Sequence, residues 1–269
     1  MSSRTKRIIW RFLLVIVVIY VLGGIALYFL QDHLIFHPTA LARDHKFSFQ
    51  QPFEENNIGY GKENLSIVKF KPGTQRKGIV LFFHGNMENI EHYAQYPVLF
   101  TRNHYEIWMI DYPGFGKSTG KRSETIMYEQ SVIMYNLAIK QITADSIIIY
   151  GKSLGTAPAS YLASVTDCKL LVLETPFYNM SELAGDHFPI YSLFPLVRYS
   201  FPNNLHLKKT NAPVVIFHGT SDKVVPYEEG KRLATENQNV KLITIKNGTH
   251  NDLFEFKEYQ RAMDSLMKK

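Results

Sequence analysis

The chain has 269 residues, 30 Lys and Arg against 24 Asp and Glu, a formal net charge of +6 and one cysteine, Cys168. Four of the cations, Arg4, Lys6, Arg7 and Arg11, crowd the N-terminus, and no basic run is interleaved with base-stacking aromatics, so the charge does not read as a nucleic-acid footprint and no nucleic-acid partner is expected. A single cysteine excludes an intramolecular disulfide, and the length permits one α/β domain plus an accessory segment.

Phe12 to Leu30 are nineteen uncharged residues. As a helix they span about 28 Å, close to the roughly 30 Å of a hydrocarbon core. Trp10 and Tyr28 sit where interfacial aromatics belong, and the next cation after the span is Arg43. The positive-inside rule then predicts a single-pass membrane protein with a cytoplasmic N-terminus and its folded domain on the extracytoplasmic side. A cleaved signal peptide, cut near Gly24-Ile25-Ala26, is the competing reading, but the apolar run continues through Leu27, Phe29 and Leu30 and favours a retained anchor. Residues 1–30 are read as tip and anchor, 31–60 as a juxtamembrane linker and 61–269 as the folded domain. His37, in the linker, is read as neither ligand nor base.

Strand-like apolar runs follow at 65–71, 78–83, 106–111, 146–151, 169–174, 213–218 and 240–246. Helical patterns at 89–103, 124–141, 154–165, 227–237 and 251–267 alternate with most of them. Strand alternating with helix predicts an α/β fold, with a mostly parallel central sheet and helices on both faces. One connection, 175–212, is long and rich in aromatics (Phe177, Tyr178, Phe188, Tyr191, Phe194, Tyr199, Phe201) and prolines (Pro189, Pro195, Pro202). It is read as a small cap insertion forming an apolar pocket. The alternative is a loop whose aromatics pack on the sheet.

The chemistry concentrates at strand ends, where an open α/β sheet gathers its ligand-binding groups. Gly151-Lys152-Ser153-Leu154-Gly155 lies between a β-branched run and a helical one, the setting of a nucleophile elbow. A serine hydroxyl needs a histidine base, and the base needs a carboxylate to fix its tautomer. Asp222 and His250 follow later strands in the order serine, acid, base, and are assigned those roles with Ser153 as nucleophile. Glu174, at the end of 169–174, is a rival acid. Asp252 is another, better suited to capping the last helix. His84-Gly85-Asn86 closes the run 78–83, so the oxyanion donors are the N–H groups of Leu154 and Asn86, with Met87 the next choice. His84 is expected to shape that loop, Asp111 to bond backbone, and Tyr112 to border the pocket or pack as core.

These motifs, with Asp111-Tyr112-Pro113-Gly114-Phe115-Gly116-Lys117-Ser118, His218 to Pro226, Glu174-Thr175-Pro176-Phe177 and His250-Asn251-Asp252-Leu253, resemble the α/β-hydrolase superfamily over roughly residues 65–266. The likeness is strongest to its membrane-anchored, lysophospholipase- and serine-aminopeptidase-like branch, which includes acyl-thioesterases. One departure is Met87-Glu88-Asn89, where relatives often carry small residues. The resemblance implies an α/β-hydrolase fold and a metal-free, cofactor-free serine hydrolase of esters or thioesters. The expected substrate is a small acyl compound, a lipid or an acylated protein among them. A peptidase with the same triad would need an amine-binding acidic site in the cap, for which Glu182 and Asp186 are available. A non-catalytic scaffold on the same fold is the reading from another class.

Overall fold

The computed structural model describes residues 2–191 and 197–268. Phe194 and Pro195, assigned to the cap from sequence, lie outside the described residues. Helix α1 (Ser3–Ile35) starts where the Ser2 hydroxyl accepts the Thr5 N–H and runs past both ends of the apolar span. Strands β1 (His37–Pro38), β2 (Phe53–Tyr60), β3 (Glu63–Phe70), β4 (Gly78–Phe83), β5 (Met87–Glu88) and β6 (Tyr105–Ile110) follow, with helix α2 (Pro97–Thr101) before β6. Next come α3 (Glu124–Ala138), β7 (Ile147–Lys152), α4 (Thr156–Val165) and β8 (Leu170–Glu174). The chain ends with α5 (Met180–His187), α6 (Asn203–Leu207), β9 (Val214–Gly219), α7 (Tyr227–Glu236), β10 (Val240–Ile245) and α8 (Lys257–Lys268).

The main sheet has the order β10-β9-β8-β7-β4-β6-β3-β2, parallel from β10 to β6 and antiparallel from β6 to β2. Its central strands are buried along their whole length and mostly apolar, apart from Glu106 of β6, Lys152 and Glu174 at the ends of β7 and β8 and His218 of β9, because both faces are covered. Ile79, Leu81, Ile147, Ile149, Leu171 and Leu173 point to one face, where Met134 of α3 and Leu162 of α4 meet them. Val80, Phe82, Ile148, Tyr150 and Val172 point to the other, under Phe100 of α2 and Met263 of α8. This period-two alternation is the strand geometry itself. The fold is therefore the expected α/β-hydrolase architecture, with the apolar helix α1 at its N-terminal end.

Three expectations need correction. Residues 31–60 are not all linker, because Phe53–Tyr60 forms the edge strand β2, and β1 pairs in parallel with β5. The Glu-Glu-Asn-Asn core of β2 lacks apolar alternation, as suits an edge strand that faces solvent. The helix expected over 89–103 is broken into a short 3₁₀ turn, Ile90–Tyr93, capped by the Asn89 side-chain Oδ1, which accepts the Glu91 N–H, and α2, which Pro97 restarts. The last helix begins at Lys257, not near 251, because the preceding residues carry the loop that holds His250.

Candidate active site

Strand β7 delivers Ser153 at its carboxyl end. Ser153 has φ +50°, a left-handed conformation costly for a non-glycine residue and held here by its surroundings. The flanking glycines make that turn possible. A Cβ at Gly155 would overlap the carbonyl oxygens of Phe83 and His84, and one at Gly151 would press on the Ala159 methyl. The elbow is thus packed directly against the end of β4, and α4 begins just behind it.

Ser153, Asp222 and His250 are brought together from three strand ends. Ser153 Oγ stands 2.9 Å from His250 Nε2, and His250 Nδ1 stands 2.7 Å from Asp222 Oδ2. Asp222 Oδ1 accepts the N–H groups of Val224 at 2.8 Å and Val225 at 2.9 Å. With Asp222 ionised, the pattern fits Nδ1–H donating to Asp222 and Nε2 accepting the serine proton. Burial alone would push the Asp222 carboxyl up. Hydrogen bonds from His218 and His250, the His250 charge and the Val225 N–H outweigh it and hold the pKa well below the usual carboxylate range. All three side chains are nearly buried, with Ser153 8% exposed.

The rival acids lie elsewhere. The Asp252 carboxylate turns back to the Thr249 N–H at 2.6 Å, and it does not cap α8. Glu174 is fully buried at the end of β8, where Lys152 Nζ at 2.6 Å and the hydroxyls of Tyr96, Tyr150 and Tyr259 surround it. Burial would raise its pKa, but the Lys152 charge and these hydrogen bonds bring the net shift below the usual value. Lys152 Nζ also donates to the backbone oxygen of His250 at 3.0 Å. Sequence reasoning missed Lys152 as a site residue, although a lysine closing the otherwise apolar strand β7 was the available signal.

His84 is buried with Nδ1 2.7 Å from the Gly85 oxygen and Nε2 3.4 Å from Asp111, so it braces the loop after β4 and does not reach the serine. Asp111 accepts the Ile90 N–H at 3.0 Å, and Tyr112 donates to the His84 oxygen at 2.8 Å. Burial raises the Asp111 pKa. His37 gives its N–H to the Asn86 oxygen at 2.9 Å, and the Asn86 side-chain amide donates to the Ile35 oxygen at 3.0 Å. The loop bearing Asn86 is therefore tied to the end of α1.

Asn86, Leu154 and Ser153 line one cavity of about 460 Å³. Its other walls are Leu27, Gln31 and Ile35 of α1 and Phe177, Leu183 and Phe188 of the 175–212 insertion. Met87 is exposed and paired in β5, outside this lining. Among the described residues, no group of three or more His, Cys, Asp and Glu side chains is placed to hold a metal ion. The arrangement can deprotonate the Ser153 hydroxyl next to an apolar, substrate-sized space.

A family model described as "Serine aminopeptidase, S33" matches residues 74–203. The chain is 29% identical over 210 residues to alpha/beta hydrolase domain-containing protein 17C of Xenopus tropicalis, covering 75% of this chain and 64% of that protein. It is 28% identical over 228 residues to the protein of the same name in Mus musculus, covering 81% and 66%. The matched region thus spans a little under two thirds of the length of these curated relatives. Among solved structures, an α/β-hydrolase from Vibrio vulnificus superposes with a TM-score of 0.65 at 20% identity, covering 80% of this chain and 79% of that one. A Pyrococcus furiosus esterase superposes with a TM-score of 0.67 at 18% identity, covering 87% and 97%.

Proposed function

Because this chain belongs to the α/β-hydrolase superfamily, we propose that it is a membrane-anchored serine hydrolase cleaving ester or thioester bonds of acyl substrates. The observation that carries this reading is the hydrogen-bonded chain Ser153–His250–Asp222 beside an apolar cavity.

In this reading Ser153 Oγ attacks the acyl carbonyl carbon while His250 Nε2 takes its proton. The N–H groups of Leu154 and Asn86 receive the oxyanion. Collapse of the tetrahedral species breaks the bond to the leaving alkoxide or thiolate, which takes the proton from His250. Water, deprotonated by the same histidine, then attacks the acyl-enzyme and frees the acid. Asp222 stays ionised and stabilises the imidazolium formed twice in the cycle. Helix α1 is the anchor, with its basic end in the cytoplasm and the hydrolase domain across the membrane.

The matched family description favours a second reading, a peptidase with the same triad. Against it, Glu182 already pairs with Arg232 at 2.5 Å. The ester reading is the better supported of the two. The test is turnover of acyl ester, thioester and aminoacyl-amide panels by wild type and Ser153→Ala. Serine-dependent cleavage of esters or thioesters supports the proposal. Serine-dependent cleavage of the amides alone replaces it with the peptidase.

A further inference from the structure

The anchor and the cavity share a wall. Within the apolar span of α1, the residues withdrawn from the surface are Tyr20, Gly23, Gly24 and Leu27, and Gln31 continues them. A spacing of three and four places them on one helix face. That face is covered by the tip of the 175–212 insertion, the 3₁₀ turn Pro189–Tyr191. The Tyr191 ring stacks on Tyr20 with centroids 4.8 Å apart. Tyr191 Oη donates to the Tyr20 oxygen at 3.1 Å, and Tyr20 Oη donates to the Ile190 oxygen at 3.0 Å. Gly23 makes the approach possible, since a Cβ there would overlap the Tyr191 hydroxyl.

The polar boundary on this side of the helix is marked by Asp32, which pairs with Arg198 and accepts the Tyr199 hydroxyl at 2.7 Å. Tyr20 lies twelve residues earlier, about 18 Å along the axis. One leaflet of hydrocarbon is about 15 Å deep. With α1 across the membrane, the cap tip therefore reaches the bilayer midplane. Its surface suits that position, because Ile190 is 69% exposed and Phe188 is also exposed. The cavity at Ser153 opens along the same helix to Leu27, and Tyr191 lines both it and a second apolar recess of about 250 Å³ beside Tyr28 and Phe29.

We propose that the Ser153 cavity draws its acyl chain laterally from the leaflet around α1, so that the substrate is an amphiphile cleaved while its chain still lies in the bilayer. This rests on the hydrolase and anchor readings above. The chain enters between α1 and the cap tip, past Tyr191, and the scissile carbonyl lies near the level of Asp32 and Arg198, at the membrane surface. The bond between the Asn86 side chain and Ile35 keeps helix and oxyanion loop in one register during this transfer. A soluble acyl-carrier substrate would have no use for a cap tip sunk to mid-membrane.

The test uses the full chain in phosphatidylcholine vesicles. On a Cys168→Ser background, Ile190→Cys carries an environment-sensitive fluorophore, and a second protein carries it at Val17→Cys, on the exposed side of α1. Bromines at mid-acyl positions should quench both labels. Quenching at 17 but not at 190 overturns the proposal and leaves the anchor intact. Quenching at neither overturns the anchor and the proposal together. In parallel, Ile190→Glu should leave hydrolysis of a short soluble ester within about twofold of wild type and lower that of a vesicle-held long-chain ester about tenfold or more, since a charge is costly at that depth. Equal effects on the two substrates overturn lateral entry. Failure of the wild type on both esters sinks the hydrolase reading instead, and the quenching result still decides the position of the cap.

Discussion

Lys152 Nζ donates a 3.0 Å hydrogen bond to the backbone oxygen of His250, and so links the residue before Ser153 to the histidine whose Nε2 stands 2.9 Å from the Ser153 hydroxyl. The same ammonium is 2.6 Å from the buried carboxylate of Glu174. The β7 end, the β8 end and the loop after β10 are thereby fixed to one another through a single side chain. Replacing Lys152 by methionine leaves the Glu174 charge buried with hydroxyl donors alone. Breaking such a pair costs roughly 3–5 kcal/mol, so Lys152→Met should melt well below wild type by scanning fluorimetry. The double variant Lys152→Met/Glu174→Gln should recover much of that loss. A Lys152→Met protein as stable as wild type would remove this network from the account.

The assignment of the acid can be separated from stability. Asp222→Asn keeps the side-chain shape but leaves His250 in the wrong tautomer, and a comparable change in a serine protease lowers turnover about 10⁴-fold. Asp252→Asn alters only a carboxylate bound to the Thr249 N–H and should change kcat by less than about tenfold. Ester turnover by the two purified variants checks the order of effects, and the reverse order would transfer the acid role to Asp252.

The elbow glycines should be intolerant of any side chain. A Cβ at Gly155 collides with main-chain oxygens of Phe83 and His84, which cannot rotate away. Overpacking of this kind costs at least about 1–3 kcal/mol. Gly155→Ala should lower the melting temperature and displace Ser153 from His250. Gly59→Ala, where a Cβ meets no atom within 4 Å, is the control and should keep its activity.

A pH effect follows from Glu229 on α7. Burial first, then the nearby charges of Asp186 and Glu182, push its carboxyl up to about 7, although the Tyr178 N–H opposes the shift. The folded state then holds this proton more tightly than the unfolded chain does. Stability is lost as pH rises from about 4.5 to about 7, by up to roughly 3 kcal/mol. Glu229→Gln mimics the protonated form and should flatten the fall in melting temperature between pH 5 and 8. The depressed carboxyls of Asp222 and Glu174 act in the opposite sense. Their stabilisation is full above the ordinary carboxylate range and fades as pH drops below about 4.

The parallel sheet was legible in the sequence because its central strands are unbroken apolar runs such as Ile147-Ile148-Ile149 and Leu170-Leu171-Val172, punctuated by glycines that the turns require. The convergence of Ser153, Asp222 and His250 was legible for a related reason: each lies within a few residues past the end of a strand, where the fold gathers its polar groups. Strand β2 was not legible, because an edge strand made of Glu54-Glu55-Asn56-Asn57 has the composition of a loop. The Lys152–Glu174 pair was hidden as well. Glu174 looked like a spare acid because nothing local reveals that Tyr96, Tyr150 and Tyr259, far apart in the chain, converge on it. The contact of Tyr191 with Tyr20 spans 171 residues and is a property of the assembled fold alone.

The central claim, that Ser153 is an activated nucleophile, is tested most directly by reacting the full-length protein with a fluorophosphonate probe and locating the adduct by mass spectrometry. A single adduct on Ser153 is expected, absent from Ser153→Ala and strongly reduced in His250→Ala. A folded wild-type protein that stays unlabelled, or labels equally in Ser153→Ala, would contradict it.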